Sequence, residues 1–131
     1  MPWLTALVSD TGLRLGEAAG LLKEDIKVNE PIPCIDLKPN PWRRLKIKGS
    51  QRLIPLIKEV LWTSKRLIET NKDSIFAFPR YCSETVCKAN LASGGLNKWL
   101  HQYVTDNCAI HSFRHTLRDR LRAVECPSDI V

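Results

Sequence analysis

Near the end of the sequence, His111-Ser112-Phe113-Arg114-His115 packs two imidazoles and a guanidinium into five residues. On a helix, His111, Arg114, His115 and Arg118 fall at i, i+3, i+4 and i+7, one continuous face. An imidazole titrates near neutrality, so His111 can exchange a proton or hold a phosphoryl oxygen. Arg114 can grip a phosphate through two parallel hydrogen bonds, as a lysine cannot. Together these groups suit phosphoryl chemistry. A solvated basic helix is the plainer reading of the same residues. For His115, a hydrogen-bonded place in the core fits at least as well as a chemical role.

Two further places carry chemistry. Arg14 follows the Thr11-Gly12 turn and opens a helix, where free backbone N–H groups and the helix dipole favour an anion. Glu17, one turn on, can orient its guanidinium, although an i, i+3 pair is also an ordinary surface ion pair. The segment from Lys38 to Lys58 holds seven basic residues and no acidic one. On a strand pair, Arg44, Lys46 and Lys48 form a stripe suited to tracking a phosphate backbone, with Arg43 and Arg52 flanking it. A lysine at the tip of such a hairpin can protonate a leaving oxygen; otherwise the stripe is a polar face in water.

The elements that position these residues read as mostly helical with a small three-stranded antiparallel sheet, an α+β chain. Pro2 to Asp10 spaces Trp3, Leu4, Leu7 and Val8 along one helical face, and Gly12 ends it in the left-handed turn. Leu13 to Leu22 carries a second short helix. Cys34 to Leu37, Trp42 to Lys48 and Arg52 to Leu56 read as strands, the second by its strict alternation and the third ending at Pro55, which confines it to an edge or to its own end. Lys58 to Thr70 is helical, with Val60, Leu61, Leu67 and Ile68 inward. Phe76, Phe78 and Tyr81 anchor an irregular stretch. Glu84 to Val104 is largely helical, with a break at Ser93-Gly94-Gly95 and a buried stripe of Leu96, Trp99, Leu100 and Tyr103. A helix from Ala109 to about Val124 turns Phe113, Leu117, Leu121 and Val124 inward, and Cys126-Pro127-Ser128-Asp129 reads as a turn and the N-cap of one more helix.

A chain of 131 residues has core enough for one domain. No apolar run approaches the roughly 18–20 residues that span a bilayer, and Met1-Pro2-Trp3-Leu4 does not read as a signal peptide. Five scattered cysteines without a C-x-x-C pair argue against a disulfide framework or zinc ribbon and for reduced thiols in an intracellular protein. A net charge of +6 points to a polyanionic partner, most economically nucleic acid.

Taken in order, T-G-L-R-L-G-E-A-A-G-L (Thr11–Leu21), K-I-K-G-S-Q-R-L-I-P-L (Lys46–Leu56) and H-S-F-R-H-T (His111–Thr116) resemble the catalytic domain of the tyrosine recombinases, the phage-integrase family. The resemblance spans nearly the whole chain. It implies a site-specific recombinase that cuts and rejoins double-stranded DNA through a 3′-phosphotyrosyl intermediate, without metal or other cofactor. Arg14 and Arg114 would clamp the scissile phosphate, and Lys48 (or Lys46, since turn length varies) would protonate the departing 5′-oxygen. His111 would assist proton transfer. Arg43, Arg44, Lys46, Arg52 and Arg118 are expected on DNA, with Glu17 and His115 in support. A cytoplasmic, bacterial or phage-encoded enzyme that oligomerises on its DNA, with no membrane partner, is the implied setting.

The departure from the family pattern lies after His115. Only 17 residues follow Arg114, and none of them is the expected tyrosine or tryptophan. Tyr81 and Tyr103 precede the motif and read as packing residues. Residues 1–131 are therefore expected to be a single, partial catalytic domain, with the upstream DNA-binding arm and downstream tyrosine segment lying outside it, and to be inactive alone. The alternative is a degenerate DNA-binding module that has lost strand cleavage. A metal-dependent nuclease built on His111 and His115 lacks the carboxylates that hard cations want.

Overall fold

The computed structural model describes residues 2–39, 51–70, 72–82, 87–105 and 107–127. The first helix, α1 (Pro2–Thr11), buries Leu4, Leu7 and Val8 completely, the i, i+3, i+4 stripe that its spacing predicts. It closes on Gly12, whose N–H donates to the Val8 carbonyl at 3.2 Å and whose φ is +69°. Glycine enters that left-handed region without a Cβ clash.

Arg14 sits in extended backbone, and α2 follows as Leu15–Ala19, shorter than the Leu13–Leu22 helix expected. Gly20 ends it, and the backbone then takes other partners. Ala77 N donates to Leu21 O at 2.9 Å and Lys23 N to Ile75 O at 2.8 Å. Leu21 and Leu22 are thus buried beside a neighbouring chain segment rather than on a helix face.

A 3-10 turn (Lys23–Asp25) leads into β1 (Ile26–Lys27), β2 (Cys34–Leu37) and β3 (Arg52–Pro55). These pair antiparallel in the order β1-β2-β3. Register aligns Ile26 with Ile35 and Ile35 with Ile54, so three buried isoleucines cross the sheet on its core side. The predicted sheet has three strands, but one of them, β1, is the two-residue Ile26–Lys27, too short to carry a period. The expected strand Trp42–Lys48 falls outside the described residues. Pro55 ends β3, where its missing N–H costs no ladder bond.

The third helix, α3 (Lys58–Thr70), has the predicted bounds, buries Val60 and Leu67, and packs on α1. Phe76, Phe78 and Tyr81 are buried as expected. Helix α4 (Ala89–Leu100) runs through Ser93, Gly94 and Gly95 without the expected break. Each glycine costs a helix only about 1 kcal/mol, and Ala92 and Leu96, fully buried, tie the helix to the core on either side. Tyr103, expected inward, is exposed and stands against Trp99 with ring centroids 5.4 Å apart.

The last helix, α5 (Ser112–Ala123), has no fully buried residue and lies against α1. Val124, expected on its apolar stripe, is exposed. Among the described residues no helix is long and apolar enough to cross a membrane.

Candidate active site

The turn between α1 and α2 is the floor of the site. Arg14 takes the N-cap position of α2, and Glu17, buried to 4% exposure, folds back on it. The Arg14 backbone N–H donates to Glu17 Oε2 at 2.9 Å, and Arg14 Nη1 donates to Glu17 Oε1 at 3.1 Å. The same carboxylate also receives Arg52 Nη2 from β3, at 3.3 Å. Glu17 thus joins the α2 start to the sheet edge, 35 residues away in sequence.

Arg114 arrives from the other end of the chain. Its Nη1 donates to the Gly12 carbonyl. Helix α5 comes this close because Gly12 has no side chain: a Cβ there would stand 2.7 Å from Leu117 Cδ2. The approach to α5 is held from α4. Asn97 Oδ1 accepts the Ile110 N–H at 2.8 Å, and His101 Nε2 lies 2.8 Å from the Cys108 carbonyl oxygen.

The electrostatic surroundings of Arg114 include the neighbouring arginines. Burial lowers the Arg114 pKa, Arg14 lowers it further, Glu17 opposes the shift, and Arg52 and Arg118 add to it. Arg14 and Arg52 hold the Glu17 carboxylate directly, and Arg114 lies within electrostatic reach of Arg14, Arg52, Arg118 and Glu17. A lowered pKa for a cation means that folding disfavours its charge. An arginine still stays protonated at any working pH, so the cost is relieved by an anion rather than by deprotonation. Arg118 supplies a second sign of this: its Nε is buried with no hydrogen-bond partner among the described residues, a condition that calls for an explanation such as an anion.

The predicted His/Arg face divides. Arg114 and Arg118 are half-buried, whereas His111 and His115 are exposed. His111 occupies the N-cap position of α5 rather than its first turn. His115, read as a core residue in support of the site, is instead at the surface, its ring edge-on to His111 at 4.9 Å. Of the basic segment, Lys38 is taken up by Asp25 at 3.5 Å and Asp36 at 3.9 Å, and Arg52 by Glu17. Arg43, Arg44, Lys46 and Lys48 lie outside the described residues. Tyr81 belongs to the core. Among the described residues no three His, Cys, Asp or Glu side chains group to hold a metal.

Sequence reasoning missed three supports: the Arg52–Glu17 pair, Asn97, and the Gly12–Leu117 contact. Only Gly12 carried a local signal, its place after a helical run.

Two outcomes follow from this geometry. Glu17→Gln keeps a hydrogen-bond acceptor but removes the carboxylate that pairs with Arg14 and Arg52, and should destabilise the fold by about 2 kcal/mol in urea unfolding. That is below the ~3–5 kcal/mol of a fully buried pair, because Arg14 and Arg52 keep about a third of their exposure. Inorganic phosphate at about ten times its dissociation constant should stabilise the chain by about 1.4 kcal/mol. Arg114→Ala should remove most of that gain, and an equal gain in that variant would discount a phosphate site.

Residues 3–131 match the phage integrase family. No curated protein matches the chain. Among solved structures, the integrase of transposon Tn1549 bound to transposon right-end DNA superposes with a TM-score of 0.71 at 18% identity, covering 93% of this chain and 46% of that one. The same integrase with a circular-intermediate DNA gives 0.66 at 18% identity, covering 91% and 45%. At that identity the likeness concerns the fold. The chain spans less than half the length of these integrases.

Proposed function

Because the chain belongs to the phage integrase family, we propose that it forms the phosphate-gripping part of a site-specific DNA recombinase. The observation that carries this reading is the meeting of Arg14 and Arg114 at the turn between α1 and α2, from opposite ends of the sequence. The two guanidiniums would hold the non-bridging oxygens of a scissile phosphate and neutralise the charge that grows on pentacoordinate phosphorus, the largest single contribution in much catalysis of this kind. Glu17 would hold Arg14 in place without meeting the substrate. His111, at the rim, would hold or pass a proton. Lys48 or Lys46 is assigned to the leaving 5′-oxygen by the sequence motif alone.

The attacking tyrosine would come from outside these 131 residues, on a further segment or another subunit assembled on the DNA. The chain would then be one partial catalytic domain in a cytoplasmic recombinase of a phage or mobile element. The test is a nicked duplex that traps the 3′-phosphotyrosyl link, incubated with the complete gene product. Covalent adduct that disappears in Arg14→Ala supports the reading. Adduct that survives that change overturns it. Duplex binding with no adduct at all identifies the alternative, a DNA-binding relative that does not cleave.

The chain by itself should bind duplex DNA weakly and with strong salt dependence. One phosphate contact for each of four guanidiniums gives a slope of about −3.6 in log K against log salt, roughly a 10²-fold loss between about 50 and 200 mM. Titration of a fluorescent duplex at several salt concentrations measures it; a flat line would exclude phosphate contacts as the source of binding.

A further inference from the structure

Away from the arginines, Cys82 and Cys87 hold their sulfurs 3.2 Å apart, both half-buried. The two residues face each other across an antiparallel bridge. The neighbouring backbone bond runs from Lys88 N to Tyr81 O at 2.7 Å, so it joins the pair one step outward. That assigns Cys82 and Cys87 to the non-hydrogen-bonded position of the ladder, where side chains stand closest and Cα atoms lie about 4.5 Å apart. A disulfide spans Cα separations of roughly 4.4–6.8 Å. The backbone therefore already has the spacing that a bridge needs.

The surroundings hold both residues where they are. Tyr81, just before Cys82, is buried. Lys88, just after Cys87, caps α4, whose first residue packs close to α2: a Cβ on Gly16 would lie 3.6 Å from Ala89 Cβ. The Cys82 thiol donates to the Ala19 carbonyl at 2.9 Å, at the end of the helix that carries Glu17. Two thiols in contact, on backbone fixed from both sides, make a preorganised dithiol. The spacing is not C-x-x-C, so no sequence motif announces it.

We propose that Cys82 and Cys87 form a reversible dithiol–disulfide pair, a modification site oxidised by low-molecular-weight disulfides such as oxidised glutathione. One thiolate attacks a glutathione sulfur, forming a mixed disulfide and releasing one reduced glutathione. The second thiolate attacks the protein sulfur of that mixed disulfide and releases the other. The two cysteines lose two electrons and two protons; oxidised glutathione gains both and leaves as two thiols. On oxidation Cys82 no longer has a proton to donate, so the Ala19 carbonyl gives up this hydrogen bond.

The experiment uses the full chain, reduced, desalted and equilibrated anaerobically with oxidised and reduced glutathione, followed by alkylation and intact mass. Two of the five thiols should escape alkylation together, and the oxidised chain before alkylation should be about 2 Da lighter, both changes reversed by dithiothreitol. Peptide mapping should join Cys82 to Cys87. Cys82→Ser and Cys87→Ser should each stop at a glutathione adduct on the remaining sulfur, whereas Cys34→Ser should behave as the parent. In urea the pair should form with an equilibrium constant lower by about tenfold or more, because unfolding removes the effective concentration that the fold provides. Five unreacted thiols, bridges among other cysteines, stable mixed disulfides in the unaltered chain, or an equal constant in urea would each overturn the proposal.

Discussion

If the proposed recombinase reading holds, Arg114→Ala in the complete gene product should lower covalent capture of nicked DNA by about 10³-fold or more, the loss expected when a positioned donor to a transferring phosphate is removed. The fold itself changes little. The variant loses the hydrogen bond to the Gly12 carbonyl, worth roughly 1–2 kcal/mol, but also sheds a cation that burial and three neighbouring arginines disfavour. These oppose each other, so unfolding free energy should move by no more than about 1 kcal/mol. Arg114→Lys separates charge from geometry. It restores the positive charge and with it much of the DNA affinity, but not the two-pronged grip, so capture stays low. Rate and stability falling in parallel, or full rescue by lysine, would contradict an arginine clamp.

The second large effect concerns Gly12. Any other residue there meets two costs: a left-handed backbone of φ +69°, about 1–2 kcal/mol for an L-residue, and a Cβ 2.7 Å from Leu117 Cδ2. Gly12→Ala should destabilise by about 2–3 kcal/mol, and branched Gly12→Val by more. The two costs can be told apart. Leu117→Ala makes room for the new Cβ but leaves the backbone cost untouched, so the double variant Gly12→Ala, Leu117→Ala should be about 1 kcal/mol better than the sum of the singles. Strict additivity would mean that α5 does not rest on Gly12. DNA affinity should fall as well, since the Gly12 carbonyl is what Arg114 holds.

What could be read from the sequence was what is local. The α3 bounds, the stripe of α1, the glycine turn and the place of Arg14 at a helix start all follow from spacing and terminus chemistry within a few residues. Glycines misled in both directions. Gly94 and Gly95 do not break α4, because buried Ala92 and Leu96 outweigh their propensity, whereas Gly20 cuts α2 short where a helical pattern runs on to Leu22. The Arg52–Glu17 pair, Asn97 under Ile110, and the Cys82–Cys87 contact depend on how separate segments lie together, and no local period encodes that. The exposure of the histidines has a related cause. The helical face was drawn correctly from i, i+3, i+4, i+7, but Gly12 draws Arg114 inward and leaves His111 and His115 at the rim.

The bond from Arg114 to Gly12 also sets an order of events during synthesis. Its partners are 102 residues apart in sequence. At a translation rate of about 5–20 residues per second, Gly12 waits roughly 5–20 s for Arg114 to be made. In the later part of that interval, once Arg52 has been made, a nascent chain can pair Arg14 and Arg52 with Glu17 while Arg114 does not yet exist. Helix α5, with no fully buried residue of its own, can dock only on a finished α1, and it belongs to the part of the fold that opens first. A half-made chain therefore lacks the Arg114–Gly12 bond, which becomes available only once α5 is laid down.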